Sequence, residues 1–269
     1  MRFQPSAYIT FRGSASTGFR APTLFDLYSP PTFGATGGVM GQGGNPYCNP
    51  PSPTGEWTSL VCTSQALGLS GGNPHLKPES SENFDIGVVI SPMRNLGITL
   101  DYYRILLKNT IGGIPDTAIY GNPSEFSDLY VLNNNGTLTT SLQAPAQCTP
   151  YTASTCGYIL QNTQNTGGIS TDGVDLSVQY SKQTPIGTFH ADLEGTLITQ
   201  YRLQEYTGGP VLNLVGWFNS GNLPAVRWTH DLTINWTSPG RMWGAGVTNR
   251  FLSSYIDQHD EPYPGFGGP

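Results

Sequence analysis

Asp192 and Glu194 stand two residues apart in a stretch that alternates like a strand, which puts both carboxylates on one face, a spacing that can serve acid–base catalysis. That face is otherwise polar, however, and carboxylates on a wetted strand face need no catalytic explanation. His75, His190, His230 and His259 are scattered, with no partner at metal-ligand spacing, so no metal centre is expected. GxSxG, Walker and dinucleotide-binding patterns are absent, which points away from an enzyme and from a bound cofactor. Asn135-Gly136-Thr137 matches a glycosylation acceptor, a match read as chance. Four cysteines fall as two local pairs, Cys48 with Cys62 and Cys148 with Cys156. Their spacing is too wide for zinc elements, so local disulfides are the preferred reading and free thiols the alternative. Each bond would add at most roughly 3 kcal/mol and would imply an oxidising compartment. Tyr47, Trp57, Tyr120, Tyr130, Tyr151 and Tyr158 lie in loop-like segments, where they could stack on a sugar ring or an aromatic chelator, or equally pack the loops together.

Only 11% of the 269 residues are charged, well below the roughly 25% of soluble domains. A mean hydropathy of -0.25 shows that neutral polar residues, not apolar ones, take their place. The 34 glycines and 22 prolines read as turns and loops. A net charge of -6 without any basic patch argues against nucleic acid as a partner. No apolar run is long enough for a membrane-spanning helix, but a membrane strand needs only alternation. Met1-Arg2-Phe3-Gln4-Pro5 has no apolar secretory core, so a working exported protein is expected to have a further N-terminal segment.

Alternation is plain from Phe84 to Lys108. Phe84, Ile86, Val88 and Ile90 share one face, and after Ser91-Pro92-Met93-Arg94-Asn95 the face resumes with Leu96, Ile98, Leu100 and Tyr102. This is a β-hairpin, each arm long enough to climb roughly 25 Å when tilted. Similar strands are expected over Ala7–Ser16, Val174–Tyr180, Thr188–Gln200, Val226–Trp236 and Met242–Phe251. Connections after the first, third and fifth strands are long, whereas those after the second, fourth and sixth are short. Short turns at one end and long loops at the other are the asymmetry of a bacterial outer-membrane barrel, and a soluble sandwich has no reason to keep it. Tyr180, Trp228, Trp236, Trp243 and Tyr255 near strand ends fit aromatic belts. His230 is an exception, because it shares an apolar face with Trp228, Leu232 and Ile234; it belongs among headgroups, or the facing there is wrong.

Four motifs now stand in order: Gly18-Phe19-Arg20-Ala21-Pro22-Thr23-Leu24-Phe25-Asp26-Leu27-Tyr28; Asn73-Pro74-His75-Leu76-Lys77-Pro78-Glu79 running on to Gly87; Asp101-Tyr102-Tyr103-Arg104-Ile105; and Thr171-Asp172-Gly173-Val174-Asp175-Leu176. Together they resemble the C-terminal barrel of TonB-dependent outer-membrane receptors. The resemblance implies an all-β, up-and-down antiparallel transmembrane barrel of about 22 strands, of which residues 1–269 supply about seven. The plug domain and the final strands of the family are not among these residues. It also implies outer-membrane lipid, a TonB-type energy transducer and a small nutrient ligand (iron chelate, cobalamin or oligosaccharide) as partners. The alternative is a secreted β-rich adhesin. An isolated piece of the barrel is expected neither to insert nor to transport, because open sheet edges are costly in lipid. Gly18 and Gly173 suit strand twist or close backbone approach, Gly87 is carried over as a residue of the second motif, and Pro22 and Pro78 end strand pairing. Arg20, Lys77 and Glu79 at strand-to-loop junctions are read as fixing loop geometry in preference to touching ligand.

Overall fold

The computed structural model describes residues 1–41, 45, 48, 62–141, 156–218 and 225–257. Eight strands form the continuous path of a nine-stranded main sheet: β1 (Arg2–Ser6), β2 (Ile9–Arg20), β5 (Glu79–Met93), β6 (Leu96–Lys108), β11 (Gly168–Thr184), β12 (Gly187–Gln204), β15 (Trp228–Thr237) and β16 (Gly244–Leu252). They pair in that order, every neighbour antiparallel, so the chain runs up and down in sequence. β1 and β16 each have one partner on this path, so the sheet is an open arc.

Cross-strand register sorts the side chains into rows. On one face run Ile9, Ile90, Ile98, Val178, Leu193 and Leu232; then Phe11, Val88, Leu100, Leu176, Gly195, His230 and Phe251; then Gly13, Ile86, Tyr102, Val174, Leu197 and Trp228. A fourth row, Leu96, Tyr180, Ala191, Ile234 and Val247, lies beyond the first. None of these positions is Asp, Glu, Lys or Arg. On β11, the first charges beyond the rows are Asp172 at one end and Lys182 at the other. Their ten-residue separation spans about 33 Å of strand, which at a tilt near 40° climbs roughly 25 Å. The opposite face at the same levels carries Arg12, Asp85, Asp101, Asp175, Asp192, Glu194, Asp231 and Arg250.

The strands outrun the alternation that reveals them. β5 begins at Glu79, not near Phe84, and β11 at Gly168, not Val174. Beyond the charge-free rows the two faces exchange character: Glu82, Arg104, Lys108 and Arg202 continue the formerly apolar face, while Ile105, Leu107, Ile169, Tyr201 and Leu203 continue the formerly polar one. The backbone ladder continues through this exchange although the apolar signal breaks. β1 was missed for another reason: its Pro5 lacks the ladder donor, which is tolerable only on an edge.

Short turns (7–8, 94–95, 185–186 and 238–243) lie at one end of the arc and long connections at the other. The described parts of those connections carry secondary structure of their own. The first contains α1 (Leu24–Tyr28), β3 (Thr32–Val39) and β4 (Gln65–Ser70); the second contains β7 (Ile111–Gly112), α2 (Asp116–Gly121), β8 (Tyr130–Val131), β9 (Tyr158–Leu160) and β10 (Gln164–Asn165). Sheet order β3-β4-β9-β8 unites the two connections, and Met40, Ala66, Ile119, Tyr120, Phe126, Leu138 and Ile159 form a buried core with Tyr206 from the third. The third connection adds β13 (Val211–Asn213), the ninth strand of the main sheet, which pairs antiparallel with the end of β12, and β14 (Trp217–Phe218), which pairs in parallel with β17 (Ile256–Asp257).

Candidate functional site at the looped end

The first two motifs form one junction. Pro22 follows the end of β2, Pro78 precedes β5, and Arg20 pairs with Glu79 in the last register position. Arg20 donates to both Glu79 oxygens at 2.7 Å, and Glu79 also accepts the Ile111 N–H at 2.7 Å, so one carboxylate joins β2, β5 and β7. Leu27 and Tyr28 lie on α1, which Thr23 and Asp26 cap reciprocally, at 2.8 and 3.1 Å. The Thr23 backbone N–H and hydroxyl, with Arg20 behind them, hold the Asp26 carboxyl below its usual range. The Asp26 carbonyl accepts the Asn73 N–H at 2.8 Å, and the Asn73 side chain accepts that of His75 at 2.9 Å, turning the chain through Pro74 and Leu76. Lys77 contributes backbone: its N–H reaches Asn165 at 2.7 Å and its carbonyl accepts from the same side chain at 2.8 Å. Gly72, not singled out from sequence, is required here, since a Cβ would lie 2.6 Å from the α1 backbone.

Three glycines let side chains cross the inner sheet face. Arg12 Nε donates to Asp101 Oδ1 at 2.7 Å, with a second bond to Oδ2, across the intervening β5 at Gly87. A Cβ there would overlap the Asp101 carboxylate. Tyr103 lies over Gly173, whose Cβ would be 2.6 Å from the phenol oxygen, beside a bulge that shifts β12 past Asp172. A Cβ on Gly18 would lie 2.7 Å from Ser81 Oγ. Phe19 turns to the opposite face and is exposed. Asp192 and Glu194 share the inner face with Asp175 and Asp231, and Asp231 meets Arg250 at 3.6 Å. Six carboxylates against two guanidinium groups make this wall acidic. Above it, Ile105, Leu107, Ile169, Tyr201 and Leu203 make the wall apolar just below the loops. Sequence reading missed this patch because the apolar residues of β6 and β11 change face at Ile105, Leu107 and Ile169, and because on β12 a bulge changes the parity between Ile198 and Gln200.

The loop aromatics divide. Tyr120 is wholly buried and bonds Thr36 Oγ1 at 2.9 Å; Tyr130 is half-buried and donates to the Ile119 carbonyl at 2.9 Å; Tyr158 meets Phe33 edge-on at 5.3 Å between centroids. Tyr120 therefore presents no face for stacking, a correction to the ligand-contact reading, because its ring completes the loop core. Tyr206, not singled out from sequence, joins that core edge-on to Phe126 at 5.1 Å. Cys48 and Cys62 form a disulfide. Cys156 is disulfide-bonded too, while Cys148, Tyr47, Trp57, Tyr151 and His259 lie outside the described residues. His230 keeps its place on the apolar face because Trp228 Nε1 donates to its Nδ1 at 2.9 Å and its ring stacks on Phe251 at 5.3 Å. Among the described residues no group of three or more His, Cys, Asp or Glu could hold a metal ion.

Burial pushes the Tyr120 hydroxyl up to about 12. An unfolded tyrosine ionises near 10, so the folded chain holds this proton more tightly. Stability from this residue is fully present below about pH 10 and falls by roughly 2–3 kcal/mol as pH rises toward 12. Tyrosinate absorbance followed against pH should show one tyrosine ionising late, together with loop unfolding. Simultaneous ionisation of all tyrosines would contradict the buried placement.

Comparison with known proteins accords with this geometry. The profile of the family described as "TonB dependent receptor-like, beta-barrel" matches residues 1–267. No curated protein matches in sequence. Among solved structures, the siderophore receptor PirA from Acinetobacter baumannii superposes with a TM-score of 0.54 at 13% identity, over 99% of this chain and 30% of that one. The ferric enterobactin receptor PfeA from Pseudomonas aeruginosa gives 0.53 at 14%, over 94% and 27%. The FrpB iron transporter from Neisseria meningitidis gives 0.50 at 13%, over 94% and 26%. This chain thus spans under a third of those proteins, and at such identities the likeness is one of fold. With the family profile matched along nearly its whole length, the chain belongs to the TonB-dependent receptor β-barrel family.

Proposed function

We propose that this arc is part of the wall of an outer-membrane receptor that takes up a scarce nutrient, with energy delivered by a TonB-type transducer. The observation that carries the reading is the pair of faces. One has four successive rows without a charge and suits lipid; the other is acidic and suits a watery lumen or a basic domain filling it. Folded loops at one end and two- to six-residue turns at the other give the arc an outside and an inside. The apolar patch of Ile105, Leu107, Ile169, Tyr201 and Leu203 beneath the loops is where the nutrient would first meet the wall. An iron chelate is the favoured class, since the names of the structural neighbours are those of siderophore receptors and an iron transporter.

Deleting the gene and following uptake of labelled iron chelates, cobalamin and oligosaccharides tests the proposal. Loss of uptake of one class, with wild-type uptake abolished by a proton uncoupler, is the expected result. Unchanged uptake of all three classes, with the protein recovered from the medium as a soluble monomer, would favour the adhesin reading.

A further inference from the structure

Just beyond the charge-free rows, on the same face, lies a groove of about 450 Å³ whose lining includes Arg104, Leu106, Lys108, Ser170, Arg202 and Gln204. The three cations come from β6 and β12, on either side of β11, and all are exposed. Lys108 is neutralised by Glu82 at 2.6 Å. Asp172, the cross-strand partner of Arg104, accepts from the Thr199 hydroxyl at 2.6 Å and forms no ion pair with Arg104. Among the described residues neither Arg104 nor Arg202 has an ion-pair partner. Two unpaired guanidinium groups therefore sit one and two rows beyond the apolar band, with Phe84 and Tyr102 beside Arg104.

That position is the level of lipid headgroups at the looped end, if the apolar face meets lipid as proposed above, and a guanidinium there matches a phosphate in geometry as well as charge. We infer that Arg104 and Arg202 form a binding site for the phosphorylated headgroup of an anionic outer-leaflet glycolipid. The phosphate docks between the two arginines while its acyl chains lie down the rows headed by Tyr102 and Val174. Lys108 and Glu82, already paired, border the site.

The test places the complete receptor in phosphatidylcholine vesicles doped with lipid A and measures lipid A retained per protein after delipidation. Replacing both arginines, Arg104→Gln with Arg202→Gln, should weaken retention by about 30-fold, at about fivefold for each cation near a membrane surface. The charge-keeping pair Arg104→Lys with Arg202→Lys should hold most of it, and phosphatidylcholine retention should not change. Equal lipid A retention by wild type and the glutamine variant would overturn the site, as would displacement of lipid A by millimolar inorganic phosphate, which would assign it to free anions. Quenching of Trp228 by brominated lipid is read in the same samples. Its absence would refute the membrane reading itself, whereas quenching with unchanged lipid A retention would refute only the headgroup site.

Discussion

Leu100→Arg destabilises the assembled barrel by about 2–4 kcal/mol, whereas Thr99→Arg, one residue away, changes stability by less than about 1 kcal/mol. Leu100 is 45% exposed in the arc and sits mid-band, between Val88 and Leu176 in a row without charge. On the proposed function lipid faces this row and cannot solvate a guanidinium, and from mid-band the side chain is too short to reach headgroups at either end. Thr99 points to the other face, beside Ser177 and one register step from Asp101, where a cation meets carboxylates and water. Urea unfolding of the complete receptor in lipid vesicles measures both variants. Equal costs at the two positions would mean that both faces are dry, as in a sheet packed against another sheet.

Gly87→Ala is the second large effect. The added methyl occupies the place of the Asp101 carboxylate, so either β5 and β6 separate or Asp101 leaves Arg12. Overpacking of this kind costs about 1–3 kcal/mol, and stranding a carboxylate that is only 7% exposed adds about 1–3 more. Gly97→Ala is the matched control, lying on the same face of β6 with nothing within 4 Å of its would-be Cβ. Its midpoint of heat-induced unfolding should match wild type. In an Asp101→Gly background the Gly87→Ala cost should fall sharply, because the overlapping carboxylate is gone and only the Leu100 carbonyl, at 3.0 Å, remains close. A full cost in that background would show that Gly87 is needed for its own backbone freedom and not for the crossing ion pair.

Much of the arc was legible from sequence because in its charge-free span every second residue reports the same environment. Phe84, Ile86, Val88 and Ile90 need no tertiary information to be placed together. The alternation of long and short connections was legible too, since Pro, Gly and Asn mark the turns. Legibility ended where a face changes solvent within one strand. Arg104 and Lys108 interrupt the apolar face of β6 while Ile105 and Leu107 take up the other, so period-two reading loses the strand although the ladder runs on to Lys108. In the connections the reason is different. β3, TFGATGGV, has glycine at three of its eight positions, which blanks the alternation that would signal a strand, and it is held by β4, which is distant in sequence. The Arg20–Glu79 pair joins residues 59 apart, and only the resemblance of the two motifs drew attention to both. Tyr120 shows the converse limit, because an aromatic in a loop looks the same in sequence whether it fills a core or waits for a ligand.

The most direct test of the account is a scan of lipid contact along β6. Single cysteines introduced at positions 96 to 103 of the complete receptor, its native cysteines remaining disulfide-bonded, would carry nitroxide labels in lipid vesicles. Positions 96, 98, 100 and 102 should be accessible to oxygen dissolved in the bilayer and shielded from a water-soluble nickel chelate, and positions 97, 99, 101 and 103 should show the reverse. Loss of that two-residue period, or exposure of all eight labels to the chelate, would contradict a membrane barrel wall and leave the soluble reading standing.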